Sequence, residues 1–191
     1  MSKIWLTSDL HFGHDREFIW GPRGFKNVHE MNEAIIERFN SIVTNNDELY
    51  LLGDCILGDT EQNIEYLKRL NGKIHIILGN HDTMVRQSAY KSLNNILDVK
   101  YADMIKIKTE NGTFNFYLSH FPTHTANLDD HGELSHMIIN LYGHTHQKSN
   151  FYMDNPTMYH VGVDSHGCFP VEINDIITDI KNQIDVCKSY L

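Results

Sequence analysis

The chain has 191 residues, 41% hydrophobic and 21% charged, a composition that suits one folded domain over 1–191 rather than a disordered chain. Its formal net charge of −9 argues against a broad electrostatic grip on nucleic acid or an anionic membrane, because phosphate backbones are held mainly by Lys and Arg. Cys55, Cys168 and Cys187 are isolated, no apolar run approaches about 20 residues, and the start lacks the long apolar region of a signal peptide; a cytoplasmic protein is expected.

Lys3 to Ser8 reads as a buried strand that stops at Asp9. Asn27 followed by Glu30 resembles a capping box, and Val28, Met31, Ile35, Phe39 and Ile42 then recur at helical spacing to about Val43. Glu48 to Leu52 is a strand ending at Gly53-Asp54. Thr60 is a candidate cap for a helix carrying Ile64, Leu67 and Leu70, with Asn71-Gly72 as its stop. Lys73 to Leu78 is the next strand, and Val85 to Leu93 a further helix. Met104 to Thr109 and Thr113 to Ser119 flank Asn111-Gly112, a hairpin signal. Ile138 to Tyr142 and Met158 to Val163 are the last predicted strands, and Ile173, Ile176, Ile177, Ile180 and Ile184 line one face of a C-terminal helix. The irregular stretches 21–26 and 123–136 are candidate lids or substrate loops. Strand–helix alternation early and adjacent strands later predict an α/β core with mixed sheets covered by helices.

Five predicted strands end in polar clusters: Asp9-x-His11, Gly53-Asp54, Gly79-Asn80-His81-Asp82, His120 and Gly143-His144-Thr145-His146. Carboxyl ends of neighbouring strands gather at one sheet edge, where ligands usually bind, so these distant segments are expected to meet. Asp9, Asp54, Asn80, His11, His120, His144 and His146 offer two carboxylates, one amide oxygen and four imidazoles. That set suits first-row metals such as manganese, iron, zinc or nickel, with manganese the first expectation. Seven ligands exceed one tetrahedral site but suit two divalent ions sharing a carboxylate. Such a pair would remain net positive and could hold a phosphate despite the acidic chain. His81 is placed to protonate a leaving oxygen, and Asp82 to orient its ring or favour imidazolium.

Other residues carry two readings. His14 either contacts phosphate or caps a loop, and Arg23 is either a phosphate clamp or a solvated loop arginine. His124, His131 and His136 border a possible pocket or lie on the surface. Asp164 and His166 either support a ligand histidine from behind or shape a turn. Cys55, next to Asp54, reads as a small buried residue rather than a thiolate ligand.

Taken in order, Asp9-x-His11, Gly53-Asp54-(x)3-Gly58, Gly79-Asn80-His81-Asp82, His120 and Gly143-His144-x-His146 resemble the calcineurin-like metallophosphoesterases over roughly Ile4 to His146. Ser8-Asp9-Leu10-His11-Phe12-Gly13-His14 and Val161-Gly162-Val163-Asp164 are similar to a branch of small, mostly uncharacterised bacterial and phage phosphoesterases; Asp15-Arg16 departs from its usual Asn and Ile. The resemblance implies a four-layer α/β/β/α sandwich with the metals at its edge. It also implies one ion on Asp9, His11 and His146, a second on Asn80, His120 and His144, and Asp54 bridging them, with His81 as the catalytic histidine. The expected activity is hydrolysis of a phosphodiester or phosphomonoester, a nucleotide derivative among the candidate substrates, by a hydroxide bridging the ions. Two rival readings are a non-catalytic interaction scaffold on the same fold and a two-metal peptide hydrolase.

Overall fold

The computed structural model describes residues 2–110, 112–125 and 137–189. The elements follow in the order β1 (Ile4–Thr7), α1 (Glu17–Trp20), α2 (Val28–Ile42), β2 (Glu48–Leu51), α3 (Thr60–Lys68), β3 (Lys73–Ile77), α4 (Met84–Tyr90) and β4 (Ile96–Lys100). The second half comprises β5 (Asp103–Thr109), β6 (Gly112–Leu118), β7 (Ile138–Tyr142), β8 (Phe151–Tyr152), β9 (Asn155–His160), β10 (Val171–Glu172) and α5 (Ile173–Ser189).

Local chemistry accounts for most boundaries. Asn27 caps α2 by accepting from the Glu30 amide at 2.9 Å, while the Glu30 carboxylate takes the Lys26 amide instead of closing the box on Asn27. The cap of α3 is Asp59, which accepts from the Gln62 amide at 3.1 Å; Thr60 is the first helical residue rather than the cap. The helix expected to reach Leu93 ends at Tyr90. The strand expected over Met158 to Val163 runs from Asn155 to His160, and Val161 then donates to Tyr142 O at 2.9 Å. Sequence patterning missed α1, β4, β8 and β10. Three of these hold only two or four residues, too few to show a period, and β4 lies at a sheet edge with mostly half-buried residues.

Among the described residues, ten strands form two mixed sheets, in the orders β10-β1-β2-β3-β4 and β5-β6-β7-β9-β8. In the first, β1 to β4 are parallel and β10 runs antiparallel to β1. In the second, β6, β7 and β9 are parallel, with antiparallel β5 and β8 at the edges. Alternate residues of β1 to β3 face opposite ways. Leu49, Leu51, Ile74 and Ile76 pack against Ile35 and Phe39 of α2 and Leu67 of α3. Leu6, Tyr50 and Ile77 point the other way and pack against Phe114, Phe116, Leu118, Ile139 and Leu141 of the second sheet, where α5 adds Ile176, Ile177 and Ile180. This is the mixed α/β sandwich that the sequence leads one to expect. The carboxyl ends of parallel β1, β2 and β3 and of parallel β6 and β7 therefore open at one common edge. No helix among the described residues is long and apolar enough to cross a membrane.

Candidate metal centre

The strand ends are stitched together by backbone bonds. Asp9 N donates to Gly53 O at 3.0 Å, His11 N to Asp54 O at 3.0 Å, and Gly143 N to His120 O at 3.0 Å. Two glycines permit this closeness. A Cβ on Gly79 would lie 2.3 Å from Asp54 Oδ1, and one on Gly143 would lie 2.4 Å from Asp9 Oδ2. Backbone strain is concentrated here as well. Asp9, His11, Asp54, His144 and His146 all have positive φ, between 48° and 68°, the left-handed region that side chains disfavour. Such strain persists only where surrounding structure enforces it, and it marks functional sites.

Seven side chains converge on two foci. At the first, His11 Nε2 lies 3.2 Å from His146 Nε2, and these atoms stand 3.8 and 3.9 Å from Asp9 Oδ1. Asp9 Oδ2 is occupied by Ser8 Oγ at 2.5 Å and the His144 amide at 2.8 Å. Asp9 Oδ1 is buried and has no hydrogen-bond partner among the described residues. At the second focus, His120 Nε2 lies 2.9 Å from Asn80 Oδ1 and 3.2 Å from His144 Nδ1. Asp54 Oδ2 belongs to both, at 3.7 Å from His11 Nε2 and 3.5 Å from His120 Nε2.

The hydrogen bonds fix which ring nitrogens carry protons. His120 Nδ1–H donates to Leu52 O at 2.8 Å and His146 Nδ1–H to Asp164 Oδ2 at 2.8 Å, so each Nε2 turns a lone pair inward. Burial, reinforced by His146 and Arg23, pushes the His11 imidazole far below its ordinary range and leaves it neutral. Burial and His120 lower His144 too. His146 goes the other way: burial opposes protonation, but the Asp164 hydrogen bond and the Asp9 charge raise it, a field that favours positive charge at that place. Ring nitrogens and an amide oxygen drawn together at 2.9 to 3.2 Å, beside a buried carboxylate oxygen without a donor, form a donor set that suits a cation. Asp9, His11 and His146 have ligand atoms close enough to share one ion, as do Asp9, Asp54 and His120.

His81 stands on the open side. Its Nε2 lies 3.9 Å from Asp54 Oδ2, its side chain is 43% exposed, and its ring meets His11 edge-on. The His81 amide donates to Asp54 Oδ1 at 2.9 Å, and Arg86 holds its carbonyl. His14 lies next to His11, ring centroids 5.3 Å apart, and burial lowers its pKa. Phe18, 68% exposed, meets His14 edge-on, and Phe121, 49% exposed, packs edge-on against His120 and His144.

Two expectations change. Asp82 does not orient the His81 ring; its buried carboxylate accepts from Gly79 N, Asp54 N, Cys55 N and Tyr90 Oη, bracing the turns that carry Asp54 and Asn80. Arg23 neither faces a substrate nor reaches solvent: its side chain is 1% exposed and binds Asp164 with two nitrogens, at 3.0 and 2.8 Å. An arginine in a Gly- and Pro-bearing loop gives no sign in sequence that it turns inward. Asp164 does stand behind His146, whereas His166 donates to His160 O at 2.9 Å, away from the cluster. Cys55 is buried, which pushes its thiol up and keeps it protonated. His124 is exposed; His131, His136 and most of the 123–136 stretch lie outside the described residues.

A family model described as calcineurin-like phosphoesterase matches residues 2–167. The chain is 34% identical over 185 residues to the uncharacterized protein MJ1445 of Methanocaldococcus jannaschii, covering 95% of this chain and 93% of that one. It is 34% identical over 209 residues to the gene 66 protein of Mycobacterium phage D29, covering 95% and 98% of the two chains. A protein of unknown function from Aquifex aeolicus, AQ665, shares the fold with a TM-score of 0.67 at 18% identity, over 93% of this chain and 99% of that one.

Proposed function

This chain belongs to the calcineurin-like phosphoesterase family, and from that premise we propose that residues 1–191 act as one catalytic unit, a dinuclear hydrolase of phosphodiesters. The observation that carries the reading is the convergence of ring nitrogens and side-chain oxygens on two foci that share Asp54 Oδ2. Asp9, His11 and His146 would hold one divalent ion, Asn80, His120 and His144 the other, and Asp54 both; manganese is the expected metal. Bound there, such ions lower the pKa of water toward about 7 and offset the charge of a phosphate.

The protein's own groups divide the remaining work. Asp54 Oδ1 holds the His81 amide while Oδ2 faces the foci, so the bridging carboxylate also sets the place of His81. The half-exposed His81 imidazole stands where it can deliver a proton to the departing ester oxygen. Phe18 stands on the side of His11 and Phe121 on the side of His144, each exposed. Exposed rings on both sides of a phosphate site favour a diester with planar groups on both arms, such as a nucleotide derivative, over a small monoester.

The test is hydrolysis of bis-p-nitrophenyl phosphate and p-nitrophenyl phosphate by metal-stripped protein reconstituted with manganese, iron, zinc or nickel. Turnover should need added metal, favour the diester and disappear in Asp54→Asn. His81→Ala should retain its metal and lose more turnover on poor leaving groups than on p-nitrophenolate esters. Phe18→Ala and Phe121→Ala should raise KM for the aryl diester several-fold with a smaller change in kcat. Two ions bound without turnover on any ester would instead support a scaffold role.

A further inference from the structure

The geometry points to Arg23 and Asp164 as a positioning pair that governs one of the two ion places and leaves the other alone. The inference rests on the dinuclear reading above. Removing two charges from water costs so much that a buried ion pair is a weak way to stabilise a fold, so what this pair touches is informative. The partners are 141 residues apart, with side chains only 1% and 6% exposed.

Apart from a contact of Arg23 Nη1 with Met31 Sδ at 3.5 Å, their remaining bonds run to the first focus. Arg23 Nη2 donates to Asp9 O at 2.9 Å and Nη1 to Leu10 O at 3.2 Å. Those carbonyls belong to the short link between Asp9 and His11, whose left-handed φ values of 57° and 51° aim both side chains at the focus. Asp164 Oδ2 accepts the His146 Nδ1–H at 2.8 Å and so turns Nε2 toward Asp9 and His11. Asp164 is itself delivered by the segment after β9, where Val163 N donates to Ser8 O at 3.2 Å. One ion pair thus steers Asp9, His11 and His146 together.

The second focus is built differently. His120 is oriented by the backbone carbonyl of Leu52, and no hydrogen bond among the described residues joins Arg23 or Asp164 to Asn80, His120 or His144. Loosening the pair should therefore weaken ion binding at the first place by about 10- to 100-fold, the usual effect of losing a group that orients a ligand. The second place should keep its affinity.

The experiment titrates metal-free full-length protein with manganese(II), by calorimetry and by electron paramagnetic resonance. Wild type should take two ions and show the broadened signal of a coupled pair. Asp164→Asn loses the charge and, with its oxygen in the Oδ2 place, turns its NH2 against Arg23 Nε–H; Arg23→Gln loses the charge, and Arg23→Lys keeps it without the fork. Each variant should bind one ion as tightly as wild type, the other 10- to 100-fold more weakly, and show the six-line signal of isolated manganese at one equivalent and beyond. Asn80→Ala should weaken the opposite place, so that Asn80→Ala combined with Asp164→Asn leaves no tight site. A merely structural role would lower the melting temperature of the metal-free chain without dividing the two ions. The proposal is overturned if all three variants keep two tight ions, weaken both equally or fail to fold. A wild-type chain that binds a single ion would sink the dinuclear reading itself, and the selectivity with it.

Discussion

Asp82→Ala tests whether the carboxylate braces the site or tunes His81. Asp82 is 4% exposed and accepts four hydrogen bonds, from Gly79 N at 2.8 Å, Asp54 N at 2.9 Å, Cys55 N at 3.3 Å and Tyr90 Oη at 2.7 Å. Alanine strands all four donors in a region with little access to water. At about 1 kcal/mol each, the low end for a buried group left unpaired, the loss is about 4 kcal/mol. Against a usual stability of roughly 5–15 kcal/mol, this should lower the melting temperature of a chain this size by about 8–16 °C. Asp82→Asn is the milder comparison. Its oxygen can serve Gly79 N and Asp54 N while its amide donates to the Tyr90 hydroxyl, leaving Cys55 N alone, at a cost of about 1–2 kcal/mol. Thermal and urea melts of metal-stripped protein, followed by circular dichroism, measure both variants, with His81→Ala as comparator. Should Asp82→Ala melt within about 2 °C of wild type yet lose turnover as His81→Ala does, the brace is wrong and the ring-orienting role is right.

Two further outcomes follow from the same geometry. Gly143→Ala places a Cβ 2.3 Å from Ser8 Oγ and 2.4 Å from Asp9 Oδ2; it should cost about 1–3 kcal/mol through overpacking and weaken manganese binding, and calorimetry showing unchanged affinity would contradict the close approach. His160 is fully buried, and burial first, then the neighbouring His166, push its pKa from 6.5 down to about 3. The unfolded chain therefore takes up a proton near 6.5 that the folded chain refuses until about 3, so stability is full above that window and falls as pH drops through it. The loss should be about 2 kcal/mol by pH 5, and urea midpoints at pH 7.5 and 5.0 should converge in His160→Gln; an undiminished slope there would place the effect elsewhere.

The sequence by itself determined the elements whose signals are local and repeated. Five apolar positions at helical spacing after Asn27 suffice for α2, and apolar runs ending in polar clusters suffice for β1, β2, β3, β6 and β7. Carboxyl ends of neighbouring parallel strands share an edge, and the seven candidate ligands were legible from that rule together with their donor types; that the edges of the two sheets coincide, as where the His144 amide reaches Asp9 Oδ2, was decided by the fold. Short or edge elements, α1, β4, β8 and β10, give no period to read, and β10 is held by a partner remote in sequence, as Trp5 with Glu172. The direction of a side chain is likewise not local. Asp82 and Arg23 stand in motifs that suggest chemistry, yet Asp82 turns to Tyr90 of the following helix and to the backbone after β2, and Arg23 meets Asp164, 141 residues away, only in the folded chain. Sequence states which residues can bind a cation or move a proton; the surrounding fold decides which of them face the site and which hold it in place, because a buried polar group must find its hydrogen-bond partners wherever the chain has brought them.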